Sequence, residues 1–72
     1  PPFIAIEILS SDDRFAKLVK KAEEYRKFGI PHIWLVDPYE QKLYAYDSGF
    51  NHVPALRIPE LGIELKPSDI FE

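Results

Sequence analysis

Glu7 and Lys21 are the two residues whose types and surroundings could do chemistry. Glu7 interrupts an apolar run, Phe3-Ile4-Ala5-Ile6-Glu7-Ile8-Leu9. A carboxylate lodged among branched hydrocarbons costs several kcal/mol unless a cation or a hydrogen-bond donor compensates it. A purely structural strand would carry valine or isoleucine there, and a local violation of this kind often marks a functional position. The compensator is either a metal ion or a lysine. Glutamate oxygen suits a hard cation such as magnesium or manganese. A carboxylate that holds a divalent cation, beside a lysine that orients or activates water, is the minimum equipment for phosphodiester hydrolysis. The same two side chains also make an ordinary ion pair, and spacing alone leaves both readings open.

The elements that must position them are legible in order. Residues 3–9 read as a strand. Ser10-Ser11-Asp12-Asp13 stops it and starts a helix, with Ser10 or Ser11 as N-cap and two aspartates at the positive end of the dipole. Phe15, Leu18, Val19, Ala22 and Tyr25 recur at helical spacing and predict one apolar stripe running to about Phe28. Gly29 suits a left-handed cap, and Pro31 prevents continuation. His32–Val36 reads as a second strand closed by Asp37-Pro38. Strand, helix and strand with short joints predict a βαβ unit with parallel strands and a right-handed crossover. Residues 42–47 predict a third strand in a hairpin with the second, followed by a turn over 47–51. Residues 52–58 predict a short strand weakened by Pro54. Residues 59–62 turn again, 63–65 are extended, and 67–71 predict a capped helical turn packing Ile70 and Phe71 inward. The expected fold class is mixed α/β, a β-α-β-β arrangement with a C-terminal extended tail.

Alternation places Phe3, Ala5, Glu7 and Leu9 on one face of the first strand and Ile4, Ile6 and Ile8 on the other. The isoleucine face is the natural seat for the helix stripe. Glu7 is therefore expected on the opposite face or toward the strand's carboxyl end, the edge where open α/β sheets bind ligands. On the helix, Arg14, Lys21 and Tyr25 fall along one border of the stripe, from which a lysine can lay its stem on the core and reach sideways. Arg14 and Tyr25 are the candidate substrate contacts.

Composition narrows the classes. The chain has 72 residues, 46% hydrophobic content and no cysteine. This excludes disorder, disulfides and thiolate metal sites, and it suits a reducing cytoplasm. No apolar run approaches the ~20 residues that span a bilayer. Net charge is −3, but residues 14–27 hold six cations against two carboxylates. That basic face on an otherwise acidic chain is compatible with phosphate contact, and a solvated, salt-bridged helix face is its ordinary reading. Trp34 is expected in the core. His32 and His52 lack metal-ligand spacing. Asp37 reads as turn chemistry, and Tyr44 and Tyr46 as a possible association surface. A nearly all-apolar strand is usually covered on both faces and paired on both edges. The few elements here predict exposed apolar surface, association or a homo-oligomer, and the C-terminal portion of a larger domain.

Three segments carry a family resemblance. They are Ile6-Glu7-Ile8-Leu9-Ser10, Lys21-Ala22-Glu23-Glu24-Tyr25 and the stretch from Phe28-Gly29-Ile30-Pro31 through Trp34-Leu35-Val36-Asp37-Pro38. Together with the ending Ile58–Leu65 and Asp69-Ile70-Phe71, they resemble the Uma-type restriction endonuclease family of the PD-(D/E)XK nuclease-like superfamily. The resemblance covers essentially the whole chain and implies a restriction-endonuclease-like mixed sheet whose N-terminal part is missing from residues 1–72. It implies a magnesium- or manganese-dependent endonuclease acting on DNA, with Glu7 as metal ligand and catalytic residue. The lysine of the motif is displaced from Leu9 onto the helix, at Lys21. The family's metal-binding aspartate, four residues before the glutamate, is Phe3 here. That departure implies either a substitute ligand from elsewhere or a catalytically inactive nuclease-fold module serving in DNA binding or protein association.

Overall fold

Isoleucine-rich residues with period-two alternation make the first strand, β1 (Ile4–Ile8). The computed structural model describes residues 2–71, so Pro1 and Glu72 lie outside the description. After β1 the chain crosses through α1 (Phe15–Lys27) and returns as β2 (His32–Asp37), parallel to β1 with Ala5 opposite Ile33 and Glu7 opposite Leu35. The expected βαβ unit with parallel strands is present.

α1 begins later than its sequence suggests. Asp13 Oδ2 accepts the Ser10 amide at 2.8 Å, and the Asp13 amide donates to the Ser10 carbonyl at 3.1 Å. Residues 10–13 thus close a turn of their own, the usual competition of short polar side chains with helix. Arg14 becomes the N-cap without a side-chain cap bond, and no acid sits in the first helical turn. The C-terminus follows expectation: Gly29 has φ 92°, and the Ile30 amide returns to the Tyr25 carbonyl at 3.1 Å.

β3 (Lys42–Tyr46) forms an antiparallel hairpin with β2, closed by Asp37, whose Oδ1 accepts the amides of Tyr39 and Glu40 at 2.9 and 3.1 Å. The single strand expected over 52–58 is two strands. β4 (Phe50–Val53) starts earlier, around a turn at Ser48-Gly49, and pairs with β3. Pro54 lacks a ladder donor and ends it. β5 (Leu56–Ile58) then pairs with β6 (Ile63–Leu65) through a 3-10 turn at Pro59–Leu61 and left-handed Gly62. The extended tail is therefore paired with itself as a second small sheet. α2 (Pro67–Ile70) is one turn, capped by Asp69 accepting the Lys66 amide at 2.8 Å. Phe71 packs inward, while Ile70 stays largely exposed.

The main sheet has the order β1-β2-β3-β4 and two different coats. One face buries Trp34, Val36 and Leu43 beneath Leu56 and Ile58, with Ile4, Ala45, Val53, Leu65 and Phe71 around them. The other sets Ala22 of α1 against Ile30 and Ile33, with Ala5, Tyr25, Tyr46 and Phe50 alongside. The helix therefore sits on the Ala5–Glu7 face, and the isoleucine face is not its seat. Small Ala5 and Ala22 permit close approach there, while the β5–β6 hairpin takes the face that holds Trp34. That hairpin reaches Ile4 but leaves Ile6 and Ile8 52% and 67% exposed. β1 is also an edge strand of the sheet, so the predicted exposed apolar surface is present along it.

His32 Nε2 lies 3.1 Å from Glu60 Oε2, fastening the hairpin's turn to the start of β2. Glu60 is held below its ordinary 4.5 by a backbone amide first and by His32 second. A carboxyl depressed on folding stabilises the fold above its unfolded pKa and loses that contribution as the pH falls through the folded value. Thermal melts of wild type and Glu60→Gln should differ at neutral pH and converge as the pH drops below 4.5. A difference that grows on acidification would contradict this assignment. Leu43 is fully buried at the centre of the Trp34 cluster. Leu43→Ala should cost about 2–5 kcal/mol in urea unfolding, and a loss under about 1 kcal/mol would mean that the hairpin does not pack on the sheet as described.

Candidate active site

Glu7 is the penultimate residue of β1, and its side chain stands on the helix face of the sheet beside Leu35. Because β1 is the outermost strand, the carboxylate is flanked by packed residues on one side only. Its side chain retains 20% exposure, so it is half-buried rather than entombed. Lys21 lies in the middle of α1, one residue before buried Ala22, and extends down the helix flank to the strand. Its Nζ is 2.5 Å from Glu7 Oε1. Glu7 thus has the positive neighbour that its setting requires, and it comes from the crossover helix.

The pair lies in a hollow of about 310 Å³ lined by Glu7, Ile8, Asp13, Lys17, Leu18 and Lys21. Leu18 supplies a buried apolar wall. Asp13 is the residue that sequence reasoning passed over, because it read there as a complement to the helix dipole. Its fold as a turn residue, carboxylate against the Ser10 amide, is what brings it to the rim. The Ser10 amide holds the Asp13 carboxyl below its ordinary value, and the charges of Lys21 and Lys17 add to the effect.

Lys21 is raised above its ordinary 10.5, first by the hydrogen bond to Glu7 and then by the Glu7 charge. It is therefore an ammonium at neutral pH. It can donate a hydrogen bond and stabilise negative charge, but it has no free pair with which to take a proton from water.

The other candidates from the sequence are not gathered here. Arg14 caps α1 and lines neither this hollow nor its neighbour along the helix. Tyr25 packs half-buried with Ala22, Ile30 and Ile33, although it is close enough to Lys21 to influence its charge. Phe3 stands four residues before Glu7, and its ring packs against His32 with centroids 4.9 Å apart. His52 stacks on Tyr44 at 5.5 Å, and Trp34 is buried on the far face of the sheet.

As a cation site this donor set is lean. Among the described residues no three His, Cys, Asp or Glu side chains converge. Glu7 and Asp13 share one hollow, each with one oxygen already held by Lys21 or Ser10. Magnesium commonly keeps several waters and takes one or two carboxylates from protein, and Glu7 and Asp13 are the carboxylates that line this hollow. No helix among the described residues is long and apolar enough to cross a membrane.

Comparison with known proteins bears on the fold and the family. A search of curated proteins finds no match. Among solved structures, a crystal structure of a putative nuclease belonging to DUF820 from Anabaena variabilis ATCC 29413 superposes with a TM-score of 0.79 at 29% identity. The match covers 97% of this chain and 44% of that one, so the chain spans less than half the length of its neighbour. The family model described as Uma2, putative restriction endonuclease, matches residues 1–72, and the chain belongs to that family.

Proposed function

We propose that these residues form part of a metal-dependent endonuclease that hydrolyses DNA phosphodiester bonds. The observation that carries the reading is the Glu7–Lys21 pair, joined across the strand–helix junction and opening onto its own hollow. In this reading Glu7, with Asp13 at the rim, would hold a magnesium or manganese ion. When bound, such an ion polarises a phosphoryl oxygen and lowers the pKa of a coordinated water.

The protein's own residues have separable tasks. Glu7 supplies a carboxylate fixed at the end of a strand. Its position varies little because β1 is tied to β2 through Ile8 and beyond, with the Leu9 amide donating to the Val36 carbonyl at 2.8 Å. Lys21, protonated, donates toward the oxygens on which charge grows in the pentavalent transition state, a stabilisation made before the reaction begins. Leu18 gives the hollow one apolar wall, which strengthens both interactions. The similarity to a putative nuclease belonging to DUF820 favours the same activity. The open β1 edge with exposed Ile6 and Ile8 is the surface that further strands of a longer nuclease domain would cover.

A second reading is a nuclease-fold module without catalysis, serving in DNA binding or association. Phe3 favours it, because that position carries a packing ring where the family motif has a carboxylate. The two readings separate on metal titration. An active site should melt higher as magnesium or manganese is added, whereas a plain ion pair should not respond. Melting is the better measurement because Trp34 lies on the opposite face of the sheet from Glu7.

Cleavage of plasmid DNA by the full-length native protein with magnesium or manganese tests the activity. Glu7→Gln should reduce it to background. Lys21→Gln should reduce it about 10²–10³-fold, the usual cost of losing one charge-stabilising donor. Both variants should still melt cooperatively. Absent cleavage by wild type, or cleavage unchanged by Glu7→Gln, removes the catalytic claim.

A further inference from the structure

The first two turns of α1 carry a row of three ammonium groups, of which the Glu7 pair engages one. Lys17, Lys20 and Lys21 stand at i, i+3 and i+4 and so share one helix face, with Cβ atoms about 5–6 Å apart. With Glu24 they line a shallow depression of about 400 Å³. This depression adjoins the hollow beside Glu7, and Lys17 and Lys21 line both. Lys21 is engaged by Glu7. Among the described residues, Lys17 and Lys20 make no ion pair, whereas Arg26, Lys42 and Arg57 pair with Asp47, Glu40 and Glu64.

Cations left without partners in a chain of net charge −3, spaced by single helical steps and leading into a hollow, suit a partner that brings its own regularly spaced anions. We propose that Lys17 and Lys20 anchor the phosphates next to the one seated at Glu7 and Lys21, so that a DNA strand lies along the first two turns of α1. The direction of the strand, toward the Glu7 hollow, rests on the nuclease reading; the binding itself does not. Lysine serves here as a compact, flexible point charge, suited to phosphate oxygens and indifferent to base identity. Phosphate contact thereby moves from Arg14 and Tyr25 to Lys17 and Lys20. Arg14 lies outside the groove, and Tyr25 is held in the helix–sheet core.

The test is binding of a fluorescent DNA duplex to the full-length native protein, followed by anisotropy in EDTA over a range of salt concentrations. Each phosphate neutralised contributes about 0.9 to the slope of log K against log salt. Lys17→Gln/Lys20→Gln should lower the slope by about 1.8 and weaken binding uniformly across sequences. Lys66→Gln, at the start of α2, should leave both unchanged. An unaltered slope in the double variant overturns the proposal, as does competition by polyglutamate equal to that by DNA. Should the slope fall while Glu7→Gln still cleaves, the phosphate row stands and the catalytic reading fails.

Discussion

Two parallel strands cannot be joined by a tight turn, so the chain between β1 and β2 must travel the length of the sheet and come back. In this protein α1 is that return path, and the site depends on it. The crossover lays the middle of α1 over the carboxyl-terminal half of β1, where Lys21 meets Glu7. The two residues are remote in sequence and share no local signal. The ladder that holds them in register is the β1–β2 pairing, running from Ile4 opposite His32 to Ile8 opposite Val36. A one-residue slip would carry Glu7 to the other face of the sheet, away from the helix.

The two coats of the sheet explain why a charged residue is tolerated. The face beneath the β5–β6 hairpin is closed and apolar around Trp34, Leu43, Leu56 and Ile58. The helix face is apolar only toward its centre, at Ala22, Ile30 and Ile33. Glu7 lies at the margin of that second region, on an edge strand, with access to both an ammonium group and solvent. Its desolvation is partial, and the ion pair offsets what remains. The same marginal position leaves an opening beside the carboxylate, into which a phosphate or a hydrated cation can be brought. Lys21 is in turn held as an ammonium, first by its hydrogen bond to Glu7 and then by the Glu7 charge.

Much of the fold is legible from local chemistry. The left-handed Gly29, the Asp37 turn and the β2–β3 hairpin depend on contacts within a few residues, and each lies where its residues predict, whereas the α1 stripe buries Leu18 and Ala22 but leaves Phe15 exposed. The errors arise where two local rules compete. Asp13 can complement a helix dipole or close a turn onto Ser10, and the turn wins, moving the helix start to Phe15. Pro54 can weaken one strand or divide two, and pairing of Phe50–Val53 with β3 decides for two. For the site, the odd carboxylate and the lysine that answers it could be named from residue type. Their neighbour Asp13 could not, because its place at the rim follows from that same turn.

By itself, the sequence determined which residues form strands and helix, that the first two strands run parallel, and that Glu7 needs a positive partner. Those properties depend on periodicity, caps and the cost of an uncompensated charge. Only the tertiary structure decided which side of the sheet receives α1. Alternation separates Ile6 and Ile8 from Glu7 without saying which group faces the helix, since an amphipathic stripe can dock on either surface. The answer comes from the hairpin at the far end of the chain, which covers the Trp34 face and leaves α1 with the face that carries Glu7.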